Sequence, residues 1–339
     1  MIQKTYHLSR CTPDKLAAVT AEIAELPAYQ NASQVLLLVL EQCWNTGTIR
    51  QKNRWIRQAL KKAEIVGVTH FDGLVTGEKI PENTILTLFF FEAPAFRICR
   101  IPMTGESEEA VGRTLGRAMA EQAYLRCVLT VFSCLPKDIG LVLETAEQGN
   151  PDVPFFGATA GVGSFFEHGA GVSCIFDADG VYQDALLAVL FCGKQLHVKA
   201  AYNYGWTPVG KTLTITKLRD PYTVGQIDGR PAADVYEKYL GIPWRTNSLS
   251  LNNICEFPLT TERHGLRMAR IPYAWDAGGN LHFAITMHEG EKLRLTYGLP
   301  QQIFAQIHGN RDEFLSFRPE AVTGVNCSAA RRRTSFPTA

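Results

Sequence analysis

The chain has almost no surplus charge: 34 lysines and arginines meet 33 aspartates and glutamates, a formal net charge of +1. Such a balance gives no global field to steer nucleic acid or an acidic membrane toward the protein. Long hydrophobic runs are also missing. Val35–Leu40 and Leu86–Phe91 are of strand length, far short of a bilayer span. Met1–Lys15 lacks the basic, apolar and small-residue order of a secretory leader. The nine cysteines contain no CxxC, are odd in number, and several sit inside apolar runs such as Arg126–Cys134 and Leu187–Cys192. That usage belongs to a reducing compartment, so a cytoplasmic location without disulfides is expected. Standard catalytic signatures are lacking too: no GxGxxG opening a helix, no Walker loop, no HExxH and no GxSxG. The eight histidines are scattered, and His288-Glu289 has no second ligand at helical spacing. Neither metal nor cofactor is expected, and nothing marks the chain as an enzyme.

What is present is a large core. Apolar residues make up 46 % of 339 positions, enough to bury two intimately packed domains. Thr12-Pro13-Asp14 starts a helix with a capping hydroxyl, a proline in the first turn and an early acid. Pro27 ends it. Gln34–Leu40 reads as a buried strand, Ile49–Lys62 as a basic amphipathic helix, Glu64–Thr69 and Ile85–Phe91 as further strands. Ser107-Glu108-Glu109 then caps another helix, followed by a strand at Cys127–Ser133, a helix at Asp138–Gln148 and strands at Val153–Ala158 and Ala185–Phe191.

Laid side by side, these two passes repeat. Helix, buried strand, helix, "EIVGVT" (Glu64–Thr69) and "ILTLFFF" match helix, buried strand, helix, "PFFGAT" (Pro154–Thr159) and "ALLAVLF". The offset is roughly 90 residues, beyond solenoid periods, and indicates a duplicated half. The fold class expected is therefore α/β: duplicated halves with mixed sheets covered by helices. Both copies place Gly-apolar-Thr where a strand leaves a sheet, a usual place for ligand loops. From His197 onward the chain reads as β-rich, with a turn at Pro208–Gly210, a strand at Thr212–Thr216 and a short helix Ala232–Leu240 stopped by Gly241. Strands follow near Gly265–Ile271, Leu281–Met287 and Leu293–Tyr297. The helix Pro300–His308 turns Ile303, Phe304 and Ile307 inward, and a last strand spans Ala321–Asn326.

Candidate ligand residues follow from small size, aromaticity and thiol chemistry. In the loop Gly157–Gly163, Gly157 and Ala158 let backbone N–H groups approach a ligand, and Thr159 offers a hydroxyl to a carboxylate or phosphate. The bland alternative is a tight strand exit without a ligand. The smaller residues after Thr159 favour the second copy as the ligand carrier. Tyr204 and Trp206 can wall a pocket for a planar ligand, or simply fill a core. Cys327 lies between Asn326 and the arginines Arg331–Arg333, which lower a nearby thiol's pKa; no oriented base is visible beside it. The helix bearing Arg50, Lys52, Arg54, Arg57, Lys61 and Lys62 presents a basic face, read as solvated surface because no aromatic residues interleave it.

Taken together, "FGATAG" (Phe156–Gly161), "DALLAVLF" (Asp184–Phe191), "YGWTPVGKTLTITK" (Tyr204–Lys217) and "QIDGRPAADVYEKYLG" (Gln226–Gly241) resemble the FIST sensory family. "EIVGVTHFDGLVTGE" earlier and "NCSAARR" later resemble further segments of it. The resemblance implies an N-terminal FIST half at 1–217 and a C-terminal half at 218–339. It implies a small-molecule-binding sensory module of an intracellular signalling protein, with an amino acid or related metabolite as ligand. A covalently linked or partner output domain is the implied partner, with neither nucleic acid nor membrane. Gly157, Ala158, Thr159, Tyr204, Trp206, Asn326, Cys327 and Arg331 are the implied ligand-binding residues. Haem-based nitric-oxide sensing and an enzyme using Cys327 stand as alternatives. Three departures are visible. Tyr204 replaces a histidine, which removes that residue's role. Phe156 stands where a glycine is common, narrowing the pocket. The sequence stops soon after Cys327, which points to a fragment of a longer protein or a divergent end.

Overall fold

A computed structural model describes residues 1–43, 45–70, 74–75, 78–79, 83–133, 138–161, 173–201, 206–245, 257–263, 266–283, 285–298 and 300–325. Two compact units emerge. The first consists of Met1–Leu135, Ile139–Ala200 and Pro319–Val325, and the second chiefly of Ala201–Arg318.

In the first unit, capping chemistry places the helices where the sequence predicts them. Thr12 accepts from the Lys15 backbone N–H to start α1 (Pro13–Glu25). Pro27 both follows that helix and opens a short α2 (Pro27–Asn31). Asn45 caps α3 (Thr46–Ala59), Ser107 caps α4 (Glu108–Ala120), and α5 spans Ile139–Glu147. The strands between them are β1 (Ile2–Ser9), β2 (Gln34–Glu41), β3 (Ala63–Thr69), a small pair β4 (Leu74–Val75) and β5 (Glu78–Lys79), and β6 (Asn83–Phe91). There follow β7 (Phe96–Pro102), β8 (Leu125–Phe132), β9 (Phe155–Thr159), the hairpin β10 (Ile175–Asp177) and β11 (Val181–Tyr182), and β12 (Ala185–Cys192).

The duplication is written in the strand order. One sheet runs β1-β6-β2-β3-β10-β11 and the other β7-β12-β8-β9. In each, an edge strand pairs antiparallel with the last strand of the repeat, which pairs antiparallel with the central strand, which pairs parallel with the next. Register agrees as well. Gly67 faces Val39 and Thr69 faces Glu41, as Gly157 faces Thr130 and Thr159 faces Phe132. The hairpin β10–β11 breaks the symmetry: it belongs to the second repeat but β10 pairs antiparallel with β3 of the first.

Alternating side chains on these strands build layers. Val35, Leu37 and Val39 join Leu16 and Ile23 of α1 and Ile49 and Ile56 of α3 in one core. Leu36, Phe89 and Phe91 face Leu129, Val131, Leu187 and Val189 between the sheets. On the far face, Val128 and Phe132 of β8 and Leu186, Ala188 and Leu190 of β12 pack on Leu115 and Met119 of α4 and Val142 of α5. The order is helices, sheet, sheet, helices, the mixed α/β fold that the periodicity predicts.

The second unit is largely antiparallel sheet. Its strands are β13 (Trp206–Asp220), β14 (Thr223–Ile227), β15 (Arg230–Pro231), β16 (Leu259–Arg263), β17 (Leu266–Arg270), β18 (Pro272–Trp275), β19 (Leu281–Phe283) and β20 (Lys292–Gly298). The helix α6 (Asp234–Leu240) ends at Gly241 in the left-handed region, φ 67°, as expected. Its Val235 and Tyr236 enter a core with Leu213, Ile215, Val224 and Leu295.

Several expectations need correction here. Pro208–Gly210 is no turn: β13 runs through it, with a register shift between Val209 and Leu213 that accommodates Gly210 at φ 68°. Pro208 is tolerated because that stretch pairs with β20, while pairing to β14 begins only at Ile215. The closing helix continues to Phe317, and Phe304, expected inward, is 41 % exposed. Residues 321–325 form no strand. β1 was not foreseen, because its polar, largely exposed edge carries no apolar run.

Candidate functional site

Ligands of α/β sheets gather beyond the carboxyl ends of parallel strands, so the exits of β3 and β9 are the places to inspect. The structure joins them. Past β9, Gly161 donates its N–H to Thr69 O at 2.7 Å and accepts from Thr69 Oγ1 at 2.9 Å. Thr69 also donates its N–H to Cys174 O at 3.0 Å and accepts from Cys174 N at 3.0 Å through its hydroxyl. One fully buried threonine, at the exit of its own strand, thus binds the exit of the second repeat and the approach to β10.

Beside Thr69, across the β2–β3 pairing, lies Glu41. This acid ends a strand whose other inward residues are all apolar, and it is only 2 % exposed. Lys52 of α3 donates to both carboxylate oxygens at 3.1 Å and to Thr84 Oγ1 at 3.1 Å; Thr84 in turn donates to Glu41 Oε2 at 2.9 Å. The Cys43 N–H adds a bond at 3.1 Å. Burial pushes the Glu41 carboxyl above its usual range, against the opposing pull of the Lys52 ammonium and these donors. His70, which follows β3, donates its N–H to Glu41 O and holds its ring against Asn83 Oδ1 at 3.0 Å. Gln42 Oε1 accepts from the Asn83 N–H at 3.2 Å.

Lys52 was expected on a solvated basic face, and that is corrected. Its side chain is 12 % exposed, because its place between the buried Ile49 and Ile56 turns it toward the strand ends. Arg50, Arg54 and Arg57 of the same helix are exposed. The acid at the end of an otherwise apolar strand was the signal that could have found the pair.

The proposed ligand residues are placed as follows. Gly157, Ala158 and Thr159 share β9, where Ala158 and Thr159 are exposed. Gly157 has φ 146°, and a Cβ there would lie 1.8 Å from Thr130 O, so its smallness serves the pairing to β8. The Phe156 ring stacks on Phe191 in the core between the sheets, 6.2 Å between centroids. Trp206 begins β13 in the second unit, its carbonyl accepting from Arg267 Nη1 at 2.7 Å. Val162, Gly163, Tyr204, Asn326, Cys327 and Arg331 lie outside the described residues. Near the joined exits, burial drives the Cys174 thiol up to about 12, an unreactive state at neutral pH. Among the described residues no group of His, Cys, Asp and Glu is arranged to hold a metal ion.

The joined exits and the whole second repeat fall within the stretch that a model of the FIST N domain matches, residues 45–230, more than half of the chain, while β1 and β2 of the first repeat precede it. The chain belongs to the FIST family. FIST domains are sensory, non-catalytic domains implicated in signal transduction. No curated protein matches the sequence. Within this FIST chain the family-like segments separate: Phe156–Gly161 and Asp184–Phe191 build the second repeat of the first unit, whereas Gln226–Gly241 shapes the second unit. Among the described residues no helix is long and apolar enough to cross a membrane.

Proposed function

We propose that this chain is the small-molecule-binding sensory module of a cytoplasmic signalling protein, its ligand an amino acid or related metabolite taken at the joined strand exits. In this reading residues 1–217 and 218–339 are the N- and C-terminal FIST halves. The observation that supports it is the double tie of Thr69 to Gly161 and Cys174, beside the buried Glu41–Lys52 pair. A ligand held by the exposed Thr159 hydroxyl touches a segment that is tied at Ala160 to its own repeat and at Gly161 to the opposite one. A molecule that favours one arrangement of that tie shifts the population of both sheets' ends, and an attached or partner output domain reads the shift without any chemistry in this chain.

The test is native mass spectrometry of freshly purified protein, followed by melting curves against the twenty amino acids and their simple derivatives. A co-purifying metabolite that raises the melting temperature, with the rise reduced in Thr159→Ala, is the expected result. If no compound raises it, the ligand reading fails. If one does and Thr159→Ala responds equally, the site is elsewhere.

A further inference from the structure

The segment Gln226–Gly241 does more than fill a core. With β13 it encloses an open cavity of about 530 Å³, large enough for a small metabolite. The buried Leu213, Ile227 and Val235 form an apolar floor. Tyr239 supplies an aromatic wall, and it lies where it does because position 210 is glycine. A Cβ there would come within 2.5 Å of the Tyr239 hydroxyl and 2.6 Å of its ring.

The charges around this cavity do not cancel. Asp228 is occupied by Lys211 Nζ at 2.8 Å and by the Thr214 N–H at 2.9 Å, which hold its carboxyl below the usual range. Asp234 accepts from the Trp244 indole at 2.8 Å, and Glu237 pairs with Arg245 at 3.4 Å. Arg230 and Lys238 also line the cavity, and among the described residues neither has a carboxylate partner. Arg230 stands within electrostatic range of Lys211, whose acid is Asp228, so Arg230 is set beside a second cation.

We infer that this groove of the second unit binds a small organic acid, its carboxylate held by Arg230 and Lys238 and its apolar body laid along Tyr239 and the floor. An arginine fork and an ammonium suit a carboxylate, and an apolar floor rewards a hydrocarbon or aromatic body over a bare inorganic anion. The groove shares no residue with the strand exits, so the two sites stand or fall separately.

Calorimetric titration of the whole chain with hydrocinnamate, and with hydrocinnamide as its uncharged twin, tests the inference. Saturable binding of the acid and none of the amide is expected. Arg230→Gln and Lys238→Gln should each weaken the acid by about tenfold. Both side chains are exposed, so the melting temperature should be unchanged, and if one variant misfolds the other decides. Gly210→Val should also weaken binding by displacing the aromatic wall. Absence of acid binding, equal binding of acid and amide, or wild-type affinity in both charge variants would overturn the inference.

Discussion

The two repeats share strand order and register, yet their strand exits are chemically unlike. In the first, Glu41 faces Thr69 and both are buried, the acid gripped by Lys52 and Thr84. In the second, Phe132 faces Thr159; the phenylalanine is buried among α4 and α5, and the threonine is exposed. Backbone pairing therefore tolerates either a charged or an apolar pair at this position. What decides is the helix above: α3 brings a lysine to the strand end, and α5 presents Val142 and Ala146 to its core. One copy became the fixed anchor and the other kept an open hydroxyl.

The widest test of that contrast is to remove the cation. Lys52→Ala leaves Glu41 buried without its partner and should cost about 4 kcal/mol in urea unfolding. Replacing the pair with Glu41→Leu and Lys52→Met, which makes the first exit resemble the second, should recover most of it. Recovery of none would show that the charges are not what distinguishes the copies.

The paired glycines should part next. Gly157→Ala drives a methyl into the Thr130 carbonyl and should cost about 3 kcal/mol, whatever side chain is trimmed nearby. Gly67→Ala instead meets the Phe176 ring, 2.0 Å from Cε2, so Phe176→Leu should relieve part of its cost. Equal rescue of both would erase the distinction.

Thr69→Val should lose about 2 kcal/mol, because the hydroxyl's partners on Gly161 and Cys174 are left unsatisfied. Thr159→Val, on the exposed counterpart, should stay within about 0.5 kcal/mol of wild type. Chemical denaturation of both variants gives the answer.

The smallest effect is in pH. The Glu41 carboxyl is raised in the folded state, so its contribution to stability is fullest below the ordinary carboxylate pKa and is lost as pH rises through the folded value. Wild type should thus lose stability relative to Glu41→Gln from about pH 4.3 upward, by less than about 1.4 kcal/mol per pH unit. The opposite slope would mean that Lys52 outweighs burial.

Much of this architecture was readable from period and punctuation. Leu36 and Leu38 alternating with Val35 and Leu37 mark a strand buried on both faces, and Thr12, Ser107 and Gly241 mark helix ends by local hydrogen bonding. The candidate site was less legible. Lys52 differs from Arg50 and Arg54 in the sequence only by its helical spacing from Ile49 and Ile56, and a basic residue on that face reads as one more solvated charge until its acid is known. Thr69 looked like a twin of Thr159, since the bonds that distinguish them reach Gly161 and Cys174, residues remote in sequence. Gly157 illustrates the converse: its size was read as room for a ligand, and the structure uses it against Thr130.

The hairpin β10–β11 has a consequence for how this chain is made. Strand β3 gains its outer neighbour only when β10 arrives, roughly a hundred residues later in synthesis, a long loop to close. Until then an emerging first repeat presents the unpaired edge of β3, whose side chains other than Glu64 are buried in the finished protein and which can template wrong pairing. The repeats share strand order and register, but they should not be separable in the test tube. A chain cut after α4 should aggregate, while one extended through β12 should fold in a single cooperative step.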